Sequence, residues 1–215
     1  MASDLVDTYG SSLVILGLHC SDSNEIPWNI ERRAYYAPLP FLGYPTWLVD
    51  GYLDSWSGDP PWSVWDDDVD ARLLVPTDVT IELSATEGDT PDIWDVTAAV
   101  CIEPGGVGKT MRIYLAEVLD NFPVPAHFTR NGLRQVATTE DIVLAPDECT
   151  DVMRTFTLDA TSMAAMGDVS FVGWAQEALA AGPADVFQAS QLNPTEVFND
   201  GFESGDTSVW GPMTP

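Results

Sequence analysis

The stretch GYPTWLVDG, residues 43–51, joins a Gly-Tyr-Pro-Thr turn to a short apolar run that ends at Asp50 and Gly51. The run predicts a β-strand, because Trp, Leu and Val suit strands and an Asp-Gly pair is a turn signal. A proline at the first residue of a strand is tolerated, since it has no N–H group whose hydrogen bond the sheet would lose. The stretch therefore predicts a strand that begins at a rigid turn.

Residues upstream of this strand predict a β-α-β unit. Residues 4–10 are typical of the end of a helix, and LVILGLH, residues 13–19, is apolar on both faces, as in a buried parallel strand. Residues 24–40 have Pro27 near the start and a proline stop, which predicts a short helix. A strand that is buried on both faces needs helices to cover it, and the predicted helical segments before and after LVILGLH meet this need.

Downstream of about residue 70, short runs alternate with turn residues. In WDVTAAVCI, residues 94–102, the apolar side chains at every second position share one face of a strand. These side chains are Trp94, Val96, Ala98, Val100 and Ile102. Strands with one solvated face, joined by hairpins, predict an antiparallel β-sandwich. The predicted fold class is α+β, mainly β: a β-α-β region followed by an antiparallel β-sandwich.

Composition divides the chain into four predicted parts. They are the β-α-β region 1–55, an acidic linker rich in Trp and Pro 56–70, the β-sandwich 71–192 and a polar tail 193–215. The linker is predicted from a Pro-Pro pair and an acidic run, and the tail from its turn-rich composition. Trp56, Trp62 and Trp65 lie outside the predicted core faces. They would either wedge the two folded parts together or form an exposed apolar patch.

The charge of the chain excludes one class of partner. It has 34 acidic and 8 basic residues, and Arg32-Arg33 is the one basic pair. Nucleic acid binding needs a cationic face, so we exclude it. No run reaches the roughly 18 apolar residues that a membrane span needs, and the first ten residues lack the pattern of a signal peptide. Taken literally, the sequence predicts a cytosolic protein.

The stretch EPGGVGKT, residues 103–110, approaches a phosphate-binding loop, but Glu103 stands where that motif has glycine. The next residues predict a strand and not the helix that such a loop precedes. We therefore interpret the glycines as a hairpin turn.

Calcium is the cofactor that the acidic run suggests. Asp66, Asp68 and Asp70 offer hard oxygen ligands, although their spacing differs from that of an EF-hand loop. A solvated linker is the favoured interpretation, so we predict no cofactor, with calcium as the alternative.

The three cysteines fall into two groups. His19 and Cys20 end the predicted buried strand, and no Cys-x-x-Cys in the sequence completes a metal set, so a structural role is favoured for the Cys20 thiol. Cys101 and Cys149 each lie on the less apolar face of a predicted strand. A disulfide between neighbouring strands would join them if the protein is exported and their Cα atoms lie within about 7 Å.

With the β-α-β unit in place, GYPTWLVDG resembles the cis-proline loop of the thioredoxin fold, carried by Tyr44, Pro45 and Thr46. An X-Pro bond needs only about 0.5 to 1 kcal/mol to be cis. In that fold the proline packs beside the redox cysteines, so the resemblance implies a partial thioredoxin-like region over residues 1–55.

Over roughly residues 5–192, the order of these segments resembles the twenty-eight-kilodalton outer-membrane-protein-like family of bacterial surface lipoproteins. The stretches that carry the resemblance are YGSSLVILGLHCSD, ERRAYY, GYPTWLVDG, IYLAEVLDNF, HFTRNGLRQ, FVGWAQE and DVFQASQL. The resemblance implies export to the outer membrane or the exterior, with the periplasm as the alternative and the export signal outside this chain. It places a Cys-x-x-Cys upstream of residue 4, so no catalytic role passes to Cys20.

Three hypotheses of function follow. The first is an exported or surface-associated bacterial protein with a non-catalytic binding or structural role and a protein or cell-surface partner. The second is a thiol-disulfide oxidoreductase of thioredoxin type whose Cys-x-x-Cys lies upstream in a longer gene product. The third is an extracellular assembly subunit, such as a filament or surface-layer protein, that self-associates through its sheet edges.

Overall fold

Two antiparallel β-sheets, packed face to face, form the larger part of the fold. The structure is a computed structural model, and it describes residues 2–37, 46–51, 54–57, 62–122 and 130–195. The predicted class, α+β and mainly β with a partial thioredoxin-like region before an antiparallel sandwich, is confirmed.

The described part of the N-terminal region contains three α-helices, a short 3-10 helix (Gly10–Ser12) and one hairpin. Its elements are α1 (Ala2–Tyr9), α2 (Pro27–Tyr35), β1 (Thr46–Val49), β2 (Asp54–Ser57) and α3 (Trp62–Leu73). α2 begins at a proline, which fits the first helical position because its missing N–H would have no partner there. β1 and β2 pair antiparallel.

The β-sandwich follows from residue 79. Its elements are β3 (Val79–Glu87), β4 (Ile93–Ile102), β5 (Lys109–Leu119), β6 (Gly132–Val136), β7 (Glu140–Leu144), β8 (Cys149–Thr157), α4 (Ala160–Ala164), β9 (Val169–Glu177) and β10 (Val186–Leu192). One sheet has the order β3-β4-β8. The other has the order β10-β9-β5-β6, and β7 pairs with the first half of β5.

The three-stranded sheet has one buried and one solvated face. Along β4 the burial alternates without interruption, and the five residues predicted to face the core are all buried. On the outer face, Cys101 of β4 lies opposite Cys149 of β8 with their Cα atoms 4.1 Å apart, and the two form a disulfide. The alternation in the sequence therefore placed both the core and the cysteines correctly.

The five-stranded sheet is buried on both faces, which differs from the prediction of one solvated face. In β9 every residue from Val169 to Gln176 is buried, and most of β5 is as well. The inner face packs on the three-stranded sheet. The outer face packs against the N-terminal region, through residues such as Val14, Leu16 and Trp28.

Two predicted segments differ from the structure. Residues 62–73, most of them assigned to the linker, form helix α3, because Trp65 and Val69 lie one turn apart and pack with Leu5 in a small core. LVILGLH makes one parallel bridge, Gly17 to Gly132, among the described residues. It covers the sheet as an extended segment because its apolar side chains pack on the outer face.

Candidate functional site

The N-terminal region is joined to the sandwich by backbone hydrogen bonds at three places. The amides of Leu133, Gly182 and Val186 donate to carbonyls of the N-terminal region, at distances of 2.9, 2.8 and 3.1 Å. The accepting carbonyls belong to Gly17, Tyr35 and Asp50, respectively. These bonds hold α2 and β1 over the outer face of the five-stranded sheet.

A cavity of about 700 Å³ lies between these two layers. Residues 13–16 and 18 form one wall, β1 and part of α2 form others, and the outer face of the sheet contributes Val172 and Trp174. Most of the lining side chains are apolar. The cavity therefore offers a surface that an apolar ligand would bury favourably.

Arg32 of α2 is a charged side chain in this wall, and aromatic rings surround it. Its guanidinium carbon lies 4.7 to 5.5 Å from the centroids of four rings. These rings belong to Trp28, Tyr35, Tyr36 and Tyr114. Aromatic faces attract a cation, so the four rings hold the guanidinium at the cavity wall.

The hydrogen bonds of Arg32 go to neutral acceptors. It donates to Gln176 Oε1 at 2.7 Å, to Tyr36 Oη at 2.8 Å and to Tyr114 Oη at 3.3 Å. Gln176 is fully buried, and its Nε2 donates to the Ala184 carbonyl at 2.8 Å. The glutamine therefore fixes the guanidinium from inside the protein.

Two wall residues contain buried polar atoms that have no hydrogen-bond partner among the described residues, Asn29 Oδ1 and Trp47 Nε1. Asn29 is fully buried, and its Nδ2 donates to the His19 carbonyl at 2.7 Å. A buried polar atom without a partner costs free energy. The wall therefore contains two polar atoms whose hydrogen-bonding capacity is unused.

The residues predicted from the proline turn are only partly described. Tyr44 and Pro45 lie outside the described residues, so the cis-proline loop stays a prediction. Thr46 is the first residue of β1 and lines the cavity.

Cys20 also lines the cavity, and its neighbour His19 shares a hydrogen bond of 2.9 Å with Asp22 through Nδ1. The bond between His19 and the Asp22 carboxylate lowers the pKa of Asp22. His19 and Cys20 thus stand near the cavity as the sequence places them, at the end of the extended segment.

The aspartates of the acidic run lie on α3. The hydroxyl of Tyr9 donates to Asp66 at 2.7 Å and to Asp70 at 2.9 Å, and Asp68 also lies on this helix. Desolvation and these two bonds raise the pKa of Tyr9. Across the described ranges, no group of three or more His, Cys, Asp or Glu could hold a metal ion. Calcium binding by Asp66, Asp68 and Asp70 stays a prediction.

The glycine-rich stretch before β5 joins two strands, as expected, but the hairpin interpretation is wrong, because β4 and β5 belong to different sheets and do not pair. Lys109, the lysine of the near-motif, bonds both carboxylate oxygens of Asp78 at 2.5 and 2.6 Å. The hydrogen bond from Lys109 lowers the pKa of Asp78 the most, and the hydrogen bond from the Val107 amide is the next largest cause. The lysine therefore belongs to an ion pair.

Sequence reasoning missed Arg32 and Gln176 as site residues. The aromatic pair that follows Arg32-Arg33 in ERRAYY was the local signal for a cation-π site. No signal could connect Arg32 to Gln176, which is 144 residues away along the chain.

The fold and its cavity define a class: a partial thioredoxin-like region packed on a β-sandwich. In structure, the chain is similar to HBP35 of Porphyromonas gingivalis, with a TM-score of 0.70 and 14% identity over 84% of this chain and 63% of that one. It is also similar to the Agrobacterium tumefaciens protein AGR_C_4864, with a TM-score of 0.51 and 18% identity over 80% and 73% of the two chains. At these identities the likeness shows a shared fold.

A third, weaker match is a domain of the outer membrane lipoprotein Omp28 from Porphyromonas gingivalis, with a TM-score of 0.41 and 16% identity over 55% of this chain and 89% of that one. By sequence, the chain matches no protein-family profile and no curated protein. It spans 63% of the length of HBP35. None of the described helices is both long and apolar enough to cross a membrane.

Proposed function

We propose that the chain is an exported or surface-associated bacterial protein with a non-catalytic binding role, and that the cavity is its binding site. The observation that carries the proposal is the apolar space of about 700 Å³ between the N-terminal region and the five-stranded sheet. Ligand sites in proteins have volumes of roughly 300 to 1,000 Å³ and mostly apolar walls with a few polar groups. Membership of the outer-membrane-protein-like family named above is part of this proposal.

The cysteines support export. Disulfides persist in oxidising compartments, and Cys101 and Cys149 form one on the solvated face of the three-stranded sheet. We place the protein at the outer membrane or outside the cell, with the periplasm as the alternative.

The cysteines also support a non-catalytic role. A thioredoxin-type reaction needs two neighbouring cysteines, one as attacking thiolate and one to resolve the mixed disulfide. Cys20 lines the cavity, while the other two cysteines of the sequence are bonded to each other. Reduction of insulin disulfides by this chain at a rate that depends on Cys20 would contradict the proposal.

The binding role is tested with the neutral apolar dye N-phenyl-1-naphthylamine. We expect saturable fluorescence enhancement by the wild-type chain and a several-fold weaker affinity in Ala34→Trp, because Ala34 is an exposed residue at the cavity wall. Met153→Trp, on the solvated face of the three-stranded sheet, is the matched control and should bind like wild type. Equal binding by all three proteins would refute the cavity as the site.

The second candidate is a thioredoxin-type oxidoreductase whose Cys-x-x-Cys lies upstream in a longer gene product. β1 pairs with β2 on one edge, and its other edge has no strand partner among the described residues. The cavity separates β1 from residues 13–18, so a further strand could pair there. An upstream reading frame without Cys-x-x-Cys would exclude this candidate, while insulin reduction by the longer product would favour it.

Self-association through sheet edges stays a third possibility for the partner. Within the described part of the chain, β8 is an edge strand of the three-stranded sheet. Such an edge can add a strand from a neighbouring molecule. Size-exclusion chromatography that shows a monomer at high concentration, with and without calcium, would count against assembly.

A further inference from the structure

Arg32 differs from the other basic residues in its ionic partners. The chain has 8 basic residues, and the seven others each lie within ion-pair distance of a carboxylate. The pairs are Arg33–Glu25, Arg72–Asp50, Lys109–Asp78, Arg112–Asp141, Arg130–Asp120, Arg134–Asp159 and Arg154–Glu140. Among the described residues, Arg32 has no such partner. With 34 acidic residues in the chain, this exception requires an explanation.

The groups around Arg32 keep its charge in place without neutralising it. Three of the five guanidinium N–H donors go to the two tyrosine hydroxyls and to Gln176, and the rings add cation-π attraction. The fully buried Gln176 is itself bonded to Ala184, so it cannot move away easily. The guanidinium is thus positioned in advance and keeps donors for a further acceptor.

The position of Arg32 adds a second observation. It lies in the wall of the cavity, whose other lining residues are mostly apolar. An anion in such a place interacts with a guanidinium more strongly than it would in water, because the local dielectric constant is low. The cavity thus combines a long apolar surface with one fixed positive charge.

We propose that the cavity binds an aliphatic monocarboxylate, with the chain of the ligand along the apolar walls and its carboxylate on Arg32. This inference rests on the proposed binding role and names the ligand class. A guanidinium suits a carboxylate because both are planar and can form two parallel hydrogen bonds. A single negative charge is favoured over several, because the formal net charge of −26 repels polyanions.

The test compares two ligands that differ only in the head group, dodecanoate and 1-dodecanol, as competitors of the dye at pH 8. For the wild-type chain we expect dodecanoate to bind at least about 10-fold more tightly, since a hydrogen bond to a charged group contributes about 1.5 to 3 kcal/mol. Arg32→Met should weaken dodecanoate about 10- to 100-fold and change 1-dodecanol less than about twofold. Arg154→Met removes a distant ion-paired arginine and should change neither.

The outcomes separate this inference from the proposed function. If the dye binds but wild type prefers 1-dodecanol, or if Arg32→Met weakens both competitors equally, the carboxylate inference is wrong and the cavity remains a binding site. If Arg32→Met does not fold, the preference of the wild-type chain decides the matter. If calorimetry detects binding of neither the dye nor dodecanoate, both the carboxylate inference and the proposed binding function are wrong.

Discussion

The two sheets of the sandwich use the same strand geometry and differ in what lies outside them. The three-stranded sheet exposes its outer face, where Met153 is 60% exposed and a disulfide joins two strands. The five-stranded sheet buries its outer face, where Trp174 is 4% exposed and stacks on Tyr114 at 4.6 Å. The N-terminal region therefore acts as a third layer of one structure, and the five-stranded sheet is its middle layer.

The largest effect should come from the buried outer face. Trp174→Ala removes a ring that contacts both Tyr114 and Trp28, and we expect it to lower the free energy of unfolding by about 3 to 5 kcal/mol. Met153→Ala at the solvated face should change it by less than about 0.5 kcal/mol. Urea denaturation measures both. Similar losses in the two variants would show that the outer faces do not differ.

The disulfide should matter next, because it supports the sheet that has no covering layer. Replacing both Cys101 and Cys149 by alanine should lower the free energy of unfolding by about 2 to 4 kcal/mol, since the bond closes a 48-residue separation. A reducing agent should lower the stability of wild type and leave the double variant unchanged. Equal urea midpoints for wild type and double variant would contradict this prediction.

The seam between the third layer and the sandwich can be tested with one glycine. Gly51 has φ +91°, and a Cβ there would lie 1.9 Å from the Ala184 carbonyl oxygen. Gly105 has a similar φ of +86° with nothing within 4 Å of a Cβ, so it controls for backbone strain alone.

We expect Gly51→Ala to cost about 2 kcal/mol more than Gly105→Ala and to weaken dye binding as well. The free energy of unfolding comes from urea denaturation and the affinity from dye titration. Equal losses of stability in the two variants would show that the seam relaxes without cost.

The smallest effect concerns Glu117, a buried acid in β5 that accepts a hydrogen bond from Gln135. Burial raises its pKa, although Ser162, Gln135 and Arg134 oppose the shift. Above the usual glutamate pKa of about 4.3, the native state therefore holds this proton more often than the unfolded state, and stability falls as pH rises toward the raised pKa.

Glu117→Gln should remove this fall, which cannot exceed about 1.4 kcal/mol per pH unit for one proton. Urea midpoints measured from pH 4 to pH 8 test it, with the exposed Glu82→Gln as the control. An unchanged slope in Glu117→Gln would contradict the prediction.

Much of the sandwich could be predicted because alternation records which face of a strand is solvated. That rule placed Val96 and Val100 in the core and Cys101 outside it. The rule predicts less about a strand that is covered on both faces. In β9, for example, buried residues follow one another without alternation, so the sequence does not show which side chains face which layer. The covering layer itself was harder to predict, because aspartates surround Trp65 and Val69 and hide the apolar stripe of α3.

The site depended on contacts that sequence order does not reveal. Arg32 could be suspected from its aromatic neighbours, but its isolation from carboxylates is a property of the folded chain. The bond to Gln176 joins α2 to β9 across most of the sequence. A single sequence contains no sign of such a pair.

The three seam amides have one further consequence. Leu133, Gly182 and Val186 all belong to the sandwich, yet each donates its proton to a carbonyl of the N-terminal region. Their native-state hydrogen exchange should therefore report local opening of that region, separately from global unfolding. If the three amides exchange together and faster than those in the middle of β5, the third layer undocks as one cooperative unit. A carboxylate ligand bound in the cavity should then slow the hydrogen exchange of all three amides by the same factor.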